Sequence, residues 1–244
     1  MEYVLEHLDA VESTNTYLKQ QADPDNGKAS VVLTEYQSAG RGAGTNSWES
    51  EHGSNILLSI KVFPKSLPAG RMFALSETAS IALWRTLSEY TDGISIKWPN
   101  DIYLHDGKMA GMLIENDLLG SNVSKAIIGI GLNVNQTIFK SDAPNPVSLA
   151  QALGREIERN EVLDRFLAEF AMLYDMMEQG MYDALHKEYM QRLYRRNGYH
   201  KYADAEGTFM ARIFDIENTG HLILETDGKE RRRYDFKEVR FVLK

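Results

Sequence analysis

The chain has 244 residues, of which 43% are hydrophobic and 25% are charged, and its formal net charge is −8. This length suits one large domain, or one domain with a small appendage. The negative charge argues against non-specific binding to nucleic acid and to anionic membranes, because both favour cationic surfaces. The lack of cysteine excludes disulfides, thiolate metal sites and cysteine nucleophiles. We find no apolar run of membrane-spanning length and no signal peptide, so we expect a cytoplasmic protein.

The first ninety residues carry strand and helix signals around a glycine-rich loop at residues 38–47. Ser13-Thr14-Asn15 predicts a capped helix start. Apolar residues at helical spacing predict a helix over residues 69–90. β-branched or alternating segments predict strands at residues 3–9, 30–37 and 55–63.

The rest of the chain predicts close-set strands, then helices, then a small all-β unit. Tight turns such as residues 105–107 imply mostly antiparallel neighbours, and helical periodicity should break near Gly180. We place a domain boundary near residues 196–200 and expect an α+β fold, because strands and helices do not alternate strictly. Strands are predicted at residues 94–98, 102–104, 109–116, 126–135, 207–216, 221–225, 231–236 and 239–243, and helices at 147–153 and 161–194.

A glycine-rich loop with the sequence GRGAGTNSW runs from Gly40 to Trp48. Glycines allow backbone amides to converge on an anion, and Arg41 adds a fork of charged donors. No Gly-Lys-Ser/Thr follows at the spacing of a Walker loop. A flexible surface loop is the alternative to a ligand-binding loop.

The segment SIKWPNDIYL, residues 95–104, interrupts a run of strands with polar groups. Pro99 ends the strand because it lacks a backbone donor, and Trp98 is expected to pack in the core. Asn100 and Asp101 then follow a fixed bend. The simpler interpretation is a proline turn with two residues that favour turns.

Two later strands carry small residues where another group could approach. Lys108 enters a strand beside Gly111, although a lysine at a strand start is usually a solvated edge charge. Gly129 and Gly131 share a face with Asn133, and the opposite face is apolar. Two glycines on one face leave a groove that either a ligand or a crossing strand could fill.

Other polar clusters have simpler interpretations. The six histidines show no metal-ligand spacing, and none is coupled to a serine nucleophile, so no protein metal site is predicted. Residues 231–233, three consecutive arginines, read as a solvated strand, with contact to a phosphate as the alternative.

Together these motifs resemble the biotin protein ligase family, that is, biotin–[acetyl-CoA-carboxylase] ligases. The combination of KWPND, then K-x-A-G, then G-x-G-x-N is highly specific, and the resemblance covers nearly the whole chain. It carries ESTN at 12–15, EYQSAGRG at 35–42, KWPNDIYL at 97–104, GKMAGMLIE at 107–115 and IGIGLNVN at 128–135.

The resemblance implies a fold and a domain division. Residues 1–197 would form a catalytic domain like that of class II aminoacyl-tRNA synthetases, with a mixed, mostly antiparallel sheet and helices. Residues 198–244 would form a small SH3-like β-barrel. The STN segment starts at residue 13, so we expect the ligase-only form, without the DNA-binding domain that some members carry.

The resemblance also implies a two-step reaction. Biotin's carboxylate would attack the α-phosphate of ATP to give biotinyl-5′-AMP, and a lysine of a carboxylase's biotin carrier domain would then take the biotin. ATP and Mg²⁺ are the expected cofactors, nucleic acid and membranes are not expected partners, and the family leaves room for a homodimer.

Site residues follow from the family positions. Lys108 and Arg41 are expected to act in catalysis by screening the biotin carboxylate and the phosphate. The residues expected to contact biotin are Ser13, Thr14, Asn15, Gln37, Gly40, Arg41, Lys108, Gly111, Gly129 and Gly131. Those expected to border ATP are Trp48, Lys97, Asn100, Asp101 and Asn133.

One departure from the family pattern concerns the loop, which often reads Gly-Arg-Gly-Arg-x-Gly. Here Ala43 stands at the second arginine and Thr45 at the last glycine. The second arginine is associated with retaining the adenylate, so we expect weaker retention or a compensating cation. The alternatives are a lipoate or octanoate ligase or transferase of the same fold, and a non-catalytic binder of biotin or nucleotide.

Overall fold

The computed structural model describes residues 1–24, 27–140 and 145–242. Its larger sheet has seven strands in the order β1-β2-β3-β7-β6-β5-β4. These strands are β1 Tyr3–Val11, β2 Ala29–Gln37, β3 Ile56–Val62, β4 Ile94–Lys97, β5 Asp101–Leu104, β6 Gly107–Leu119 and β7 Asn122–Leu132. The predicted strands are all present, and the expectation of mostly antiparallel neighbours is confirmed.

The first strand pair is the exception, because β1 and β2 run parallel. Helix α1, Thr14–Gln20, makes the crossover that a parallel pair requires. It starts where predicted, with Ser13 at the N-cap, but the Ser13 side chain makes no capping hydrogen bond. The capping mechanism predicted for this start was therefore wrong.

The remaining helices are α2 Ala74–Ser88, α3 Leu149–Leu153, α4 Arg159–Glu178 and α5 Tyr182–Gln191. The predicted helix over residues 69–90 is divided, since a 3₁₀ turn at Ala69–Arg71 precedes α2. The predicted break near Gly180 is confirmed; this glycine has a φ of 75° between α4 and α5. In the ranges described, none of the helices is both long and apolar enough to cross a membrane.

The main core lies between the seven-stranded sheet and the helices. Helix α2 is its centre: it contacts α4, α5 and β4, and most of its residues are buried. Leu75, Ala79, Leu83 and Leu87, the predicted buried face, are each 0–1% exposed. Met72, the first residue of that predicted series, precedes the helix and is exposed.

The C-terminal part is a separate antiparallel sheet with the strand order β11-β10-β9-β8-β12. Its strands are β8 His200–Asp204, β9 Gly207–Ile216, β10 Leu222–Thr226, β11 Arg231–Tyr234 and β12 Arg240–Phe241. Strand β8 was not predicted, because only Tyr202 and Ala203 in it are buried and its pattern is too short to detect. The last predicted strand reached residue 243, which lies outside the described residues.

The arginine side chains of β11 all have partners within the C-terminal region. Arg232 forms an ion pair with Glu230, and Arg233 with Glu217. The guanidinium of Arg231 lies 3.6 Å from the centre of the Phe214 ring. These partners support the interpretation of residues 231–233 as a solvated strand.

A carboxylate–imidazole cluster joins the helices to the C-terminal sheet. Nδ1 of His186 on α5 lies 2.7 Å from Oε1 of Glu77 on α2, and its Nε2 lies 3.2 Å from Oδ1 of Asp215 on β9. The hydrogen bond with Glu77 raises the pKa of His186 above 6.5. Burial raises the pKa of Glu77, although His186 and the nearby Arg71 oppose this shift.

This cluster predicts a pH-dependent stability. A group whose pKa is raised by folding stabilises the fold fully below its unfolded pKa, and that stability is lost as pH rises through the folded pKa. Both His186 and Glu77 have raised pKa values, so the contribution of Glu77 is lost above 4.5 and that of His186 above 6.5, and we expect the unfolding temperature to fall as pH rises above these values. Thermal unfolding at a series of pH values tests the expectation. The His186→Gln variant should show a flatter profile, and an unchanged slope would contradict the role given to His186.

Candidate functional site

A cleft of about 1480 Å³ opens between the seven-stranded sheet and the C-terminal sheet. Its floor is formed by the facing parts of β6 and β7, and one wall by residues 41–49 of the glycine-rich loop. The bend at residues 98–101 and side chains from residues 219–241 form the other sides. The cleft therefore lies where four separate parts of the chain meet.

The structure brings nearly all of the predicted site residues into this cleft. The residues that line it are Ser13, Thr14, Asn15, Gln37, Arg41, Trp48, Lys97, Asn100, Asp101, Lys108, Gly111, Gly129, Gly131 and Asn133. Gly40 is the predicted residue missing from the lining. Its carbonyl accepts a 2.8 Å hydrogen bond from the Trp48 amide, and a Cβ there would collide with the Trp48 carbonyl. Gly40 therefore closes the loop, and its contact with biotin remains a prediction.

Two lysines share one carboxylate at the floor of the cleft. Nζ of Lys108 lies 2.7 Å from Oδ1 of Asp101, and Nζ of Lys97 lies 3.9 Å from Oδ2. Burial lowers the pKa of Lys97, and Asp101 opposes this shift. The ammonium of Lys97 also lies 5.1 Å from the ring centres of Tyr103 and Phe241. Asp101 thus holds two cations side by side, where a second anion can join them.

The bend after Trp98 is clamped from both sides. Ser76 Oγ and Tyr189 Oη donate hydrogen bonds of 3.1 and 3.0 Å to the Pro99 carbonyl. The Met112 amide donates to the Asn100 carbonyl, and the Asn100 side chain donates to the Met112 carbonyl. The segment is therefore a proline turn, as the simpler interpretation held, and that turn also borders the cleft.

Trp98 is buried as predicted, but its partners lie in the C-terminal sheet region. Its Nε1 donates a 2.8 Å hydrogen bond to the Gly220 carbonyl, and its ring centre lies 5.4 Å from that of Phe236. This indole therefore fixes the C-terminal region against the bend that borders the cleft.

The glycine groove of β6 and β7 is filled by side chains from other segments. A Cβ on Gly129 would collide with the Asn15 amide, and one on Gly131 would collide with the Trp48 indole. A Cβ on Gly111 would meet both Trp48 and Lys108, at 3.0 and 3.2 Å. Of the two occupants considered from the sequence, a ligand and a crossing strand, neither is needed to fill the groove in this structure.

The Trp48 indole sits in the groove without a hydrogen bond for its N–H group. Nε1 is buried and has no partner among the described residues. A buried unpaired donor is costly, because it has lost its water without replacement. The indole belongs to the glycine-rich loop, so the contact that fills the groove depends on where this loop lies.

A polar network orders the other end of the groove. Ser59 Oγ lies 2.7 Å from Thr14 Oγ1 and 2.6 Å from Asn15 Oδ1, and Thr14 N donates a 2.8 Å hydrogen bond to Gln37 Oε1. Ser59 pairs with Gly129 in the sheet register. The sequence analysis missed Ser59, although a hydroxyl within the strand ILLSIKV, whose only other polar residue is Lys61, was a usable signal.

Arg41 is directed at the rim of the cleft. Its guanidinium donates two hydrogen bonds to Glu115, of 3.3 and 3.2 Å, and the side chain is half exposed. Burial tends to raise the pKa of Glu115, but hydrogen bonds from Asn15 and Arg41 outweigh it and leave the pKa lowered. Arg41 and Lys108 line one cleft, and each is paired with its own carboxylate. The expected joint action of the two cations remains a prediction.

Asn133 is turned toward backbone rather than toward open space. Its Nδ2 lies 3.3 Å from the Val147 carbonyl and 3.5 Å from the Lys108 carbonyl. It therefore braces the start of the strand that carries Lys108, and its predicted contact with ATP is untested.

Several cleft residues were not found from the sequence because they come from distant parts of the chain. Phe73 and Tyr103 lie within stretches that read as core. The C-terminal region adds Thr219, Phe236, Lys237, Arg240 and Phe241. No local pattern marks these C-terminal positions, because they reach the cleft only when the C-terminal region packs against the part of the chain that holds the seven-stranded sheet.

The cleft is basic although the whole chain is acidic. Among the described lining residues, the basic ones are Arg41, Lys97, Lys108, Lys237 and Arg240, and the acidic ones are Glu49 and Asp101. Focused positive charge in a cleft favours anionic ligands. Across the described part of the chain, no group of three His, Cys, Asp or Glu side chains gathers to hold a metal ion.

A cleft that pairs a basic floor with a glycine-lined groove suits an anionic ligand. Residues 8–133, more than half of the chain, match the model of the biotin/lipoate A/B protein ligase family. The chain belongs to this family.

Relatives and solved structures agree with the family assignment. The bifunctional ligase/repressor BirA of Bacillus spizizenii is 31% identical over 93% of this chain and 71% of its own length. The biotin–[acetyl-CoA-carboxylase] ligase of Paracoccus denitrificans is 29% identical over 89% of this chain and 92% of its own. A biotin protein ligase from Aquifex aeolicus, solved with biotin and ATP, superposes with a TM-score of 0.80 at 23% identity, covering 98% and 99% of the two chains. This last similarity concerns the fold.

Proposed function

We propose that this protein is an ATP-dependent biotin–protein ligase. Biotin's carboxylate oxygen attacks the α-phosphorus of ATP, the bond to the β-phosphate oxygen breaks, and biotinyl-5′-AMP and pyrophosphate form. The amine of an acceptor lysine then attacks the acyl carbon and displaces AMP. The observation that carries the proposal is Lys108, held by Asp101 beside the glycine groove of one basic cleft.

We also propose a fold type for each of the two sheets. The seven-stranded sheet with its helices corresponds to a class II aminoacyl-tRNA synthetase-like catalytic domain, residues 1–197. The five-stranded sheet corresponds to an SH3-like barrel, residues 198–244. The start of β8 at His200 supports a boundary close to residue 198.

Substrate positions follow from the two ends of the cleft. Biotin occupies the groove of Gly111, Gly129 and Gly131, and the polar network of Thr14, Asn15 and Gln37 offers donors and acceptors to its ureido ring. The nucleotide lies on the side of Lys97, Asn100, Asp101 and Asn133. Entry of biotin requires the Trp48 indole to leave Gly131, and the indole is then available to border the nucleotide.

Lys108 and Arg41 lower the repulsion between the two reacting anions. Lys108 already faces one carboxylate and is about one quarter exposed, so it can contact both a carboxylate and a phosphate. Charge placed in advance where negative charge develops stabilises the transition state without reorganisation. Arg41 adds charge from the loop once it exchanges Glu115 for substrate. No protein nucleophile is needed, which agrees with the lack of cysteine.

The residues present fit Mg²⁺ as a companion of ATP rather than as a resident metal. Mg²⁺ is commonly held by one or two carboxylates together with substrate phosphates, and Asp101 is a carboxylate at the nucleotide side of the cleft. Bound there, Mg²⁺ would neutralise phosphate charge and favour pyrophosphate as the leaving group.

The acceptor is proposed to be the biotin carrier domain of a biotin-dependent carboxylase. The relative from Paracoccus denitrificans, named for its action on acetyl-CoA carboxylase, supports this choice. The family model also spans lipoate ligases, which makes lipoate the competing acid.

The decisive experiment supplies the protein with ATP, Mg²⁺ and either biotin or lipoate, and measures pyrophosphate release and acyl-adenylate by mass spectrometry. A purified biotin carrier domain is then added and its mass is followed. Of the two acids, we expect only biotin to give an acyl-adenylate and a carrier domain heavier by one biotinyl group. Turnover with lipoate only would favour the alternative, and ATP binding without turnover of either acid would indicate a non-catalytic binder.

A further inference from the structure

A turn of the C-terminal region carries a lysine to the glycine-rich loop. Lys237 lies between β11 and β12 and has a φ of 72°, a value that non-glycine residues rarely adopt. The turn is fixed by a 2.7 Å hydrogen bond from the Asp235 amide to Glu238 Oε2 and a 3.2 Å hydrogen bond from the Glu238 amide to the Asp235 carbonyl. Such backbone conformations persist where the surroundings determine them, and they cluster at functional sites.

The side chain of Lys237 lines the cleft and reaches the glycine-rich loop at Gly44. A Cβ placed on Gly44 would collide with Nζ of Lys237 and would lie 3.4 Å from its Cε. The ammonium therefore rests on the loop position beside Ala43, where the chain carries no charge of its own. Both Lys237 and the loop residues line the proposed ATP and biotin cleft.

Three of the other four basic side chains that line the cleft are already paired, and Arg240 is the fourth. Arg41 is held by Glu115, and Lys97 and Lys108 share Asp101. Throughout residues 1–24, 27–140 and 145–242, the Lys237 side chain makes no hydrogen bond or ion pair. An ammonium that faces a basic cleft and has no carboxylate of its own is available to an anionic ligand.

We propose that Lys237 binds the phosphate groups of the nucleotide and of the acyl-adenylate, and so supplies from the C-terminal region the cation that Ala43 does not. This inference rests on the proposed function, because it names a further contact within the same site. It makes the C-terminal sheet part of the active site. A lysine at an exposed position acts mainly through charge, so its contribution weakens with ionic strength.

Adenylate release tests the inference. Biotinyl-5′-AMP is formed on the protein from biotin and ATP, the complex is freed of excess ligand by gel filtration, and dissociation is followed by trapping the released adenylate. We expect Lys237→Ala to accelerate release about tenfold, the size of one charge-assisted hydrogen bond, and expect the difference to shrink at high salt. Lys201→Ala, on the same sheet and outside the cleft, is the matched control and should leave release unchanged.

Two further variants separate charge from structure. Lys237→Arg should retain slow release, and Ala43→Arg in the Lys237→Ala background should restore it by returning a cation to the loop. Unchanged release in Lys237→Ala would overturn the inference but leave the proposed function standing. Faster release in Lys237→Ala that neither Lys237→Arg nor Ala43→Arg reverses would have the same two consequences. If the unmodified protein forms no adenylate from biotin, the proposed function fails. Binding of a non-hydrolysable ATP analogue to the same variants then decides whether Lys237 holds a phosphate.

Discussion

Lys108→Ala is expected to lower the rate of biotinyl-5′-AMP formation by about 100- to 1000-fold, the range seen when a single charge-stabilising donor is lost from an active site. The physical reason is the position of Nζ, 2.7 Å from Asp101 at the meeting point of the proposed carboxylate and phosphate sites. Removing the Lys108 ammonium also leaves Lys97 as the one remaining lysine partner of Asp101, so the Asp101 carboxylate would repel both anionic substrates more strongly. Pyrophosphate release at saturating biotin and ATP measures the effect.

Two controls distinguish a loss of catalysis in this variant from a loss of folding. Lys108 is partly exposed and contributes little to the core, so its alanine variant should unfold near the temperature of the unmodified protein. Lys201→Ala removes a lysine of the same charge away from the cleft and should leave the rate unchanged. Near-normal pyrophosphate release by Lys108→Ala would refute the role proposed for this side chain.

Gly131→Ala is the second variant for which we expect a large effect. Its Cβ would occupy the space that the Trp48 indole now fills and that biotin is proposed to enter. Overpacking of a well-fitted site costs about 1–3 kcal/mol, which corresponds to about 5- to 150-fold weaker binding. Calorimetric titration with biotin measures this change.

Gly70→Ala is the matched control for Gly131→Ala. A Cβ on Gly70 would meet nothing within 4 Å, and the backbone there is not in the left-handed region. This variant should bind biotin as the unmodified protein does. Undiminished biotin affinity in Gly131→Ala would show that the groove of β7 does not hold the ligand.

Much of this architecture could be predicted from local patterns. Helical spacing located α2 and α4, Gly180 located the break before α5, and alternation located most strands. Strand β8 escaped because a five-residue edge with two buried side chains carries no clear period. The capping role of Ser13 was wrong because a favourable residue type does not guarantee the side-chain orientation that a cap needs.

The parts of the site that lie in local sequence motifs could be predicted, and the contacts between distant parts of the chain could not. Lys108, Asp101 and the glycines of β7 were assigned to the site because they lie in the motifs that resemble the family's. The pairing of Arg41 with Glu115 could not be found, since 74 residues separate them. Lys237 was equally hidden, because its proximity to Gly44 arises from packing of the C-terminal sheet.

The indole on Gly131 has a consequence for how the protein responds to its substrate. If biotin occupies the groove as proposed, Trp48 acts as an internal competitor, since the groove cannot hold the indole and the biotin ring at once. If the indole occupies the groove in about 99% of molecules, the measured affinity is about 100-fold weaker than the intrinsic one. Residues that hold the loop away from β7 would then raise the measured affinity without touching the ligand, so affinity can be tuned by the position of the loop as well as by the binding pocket.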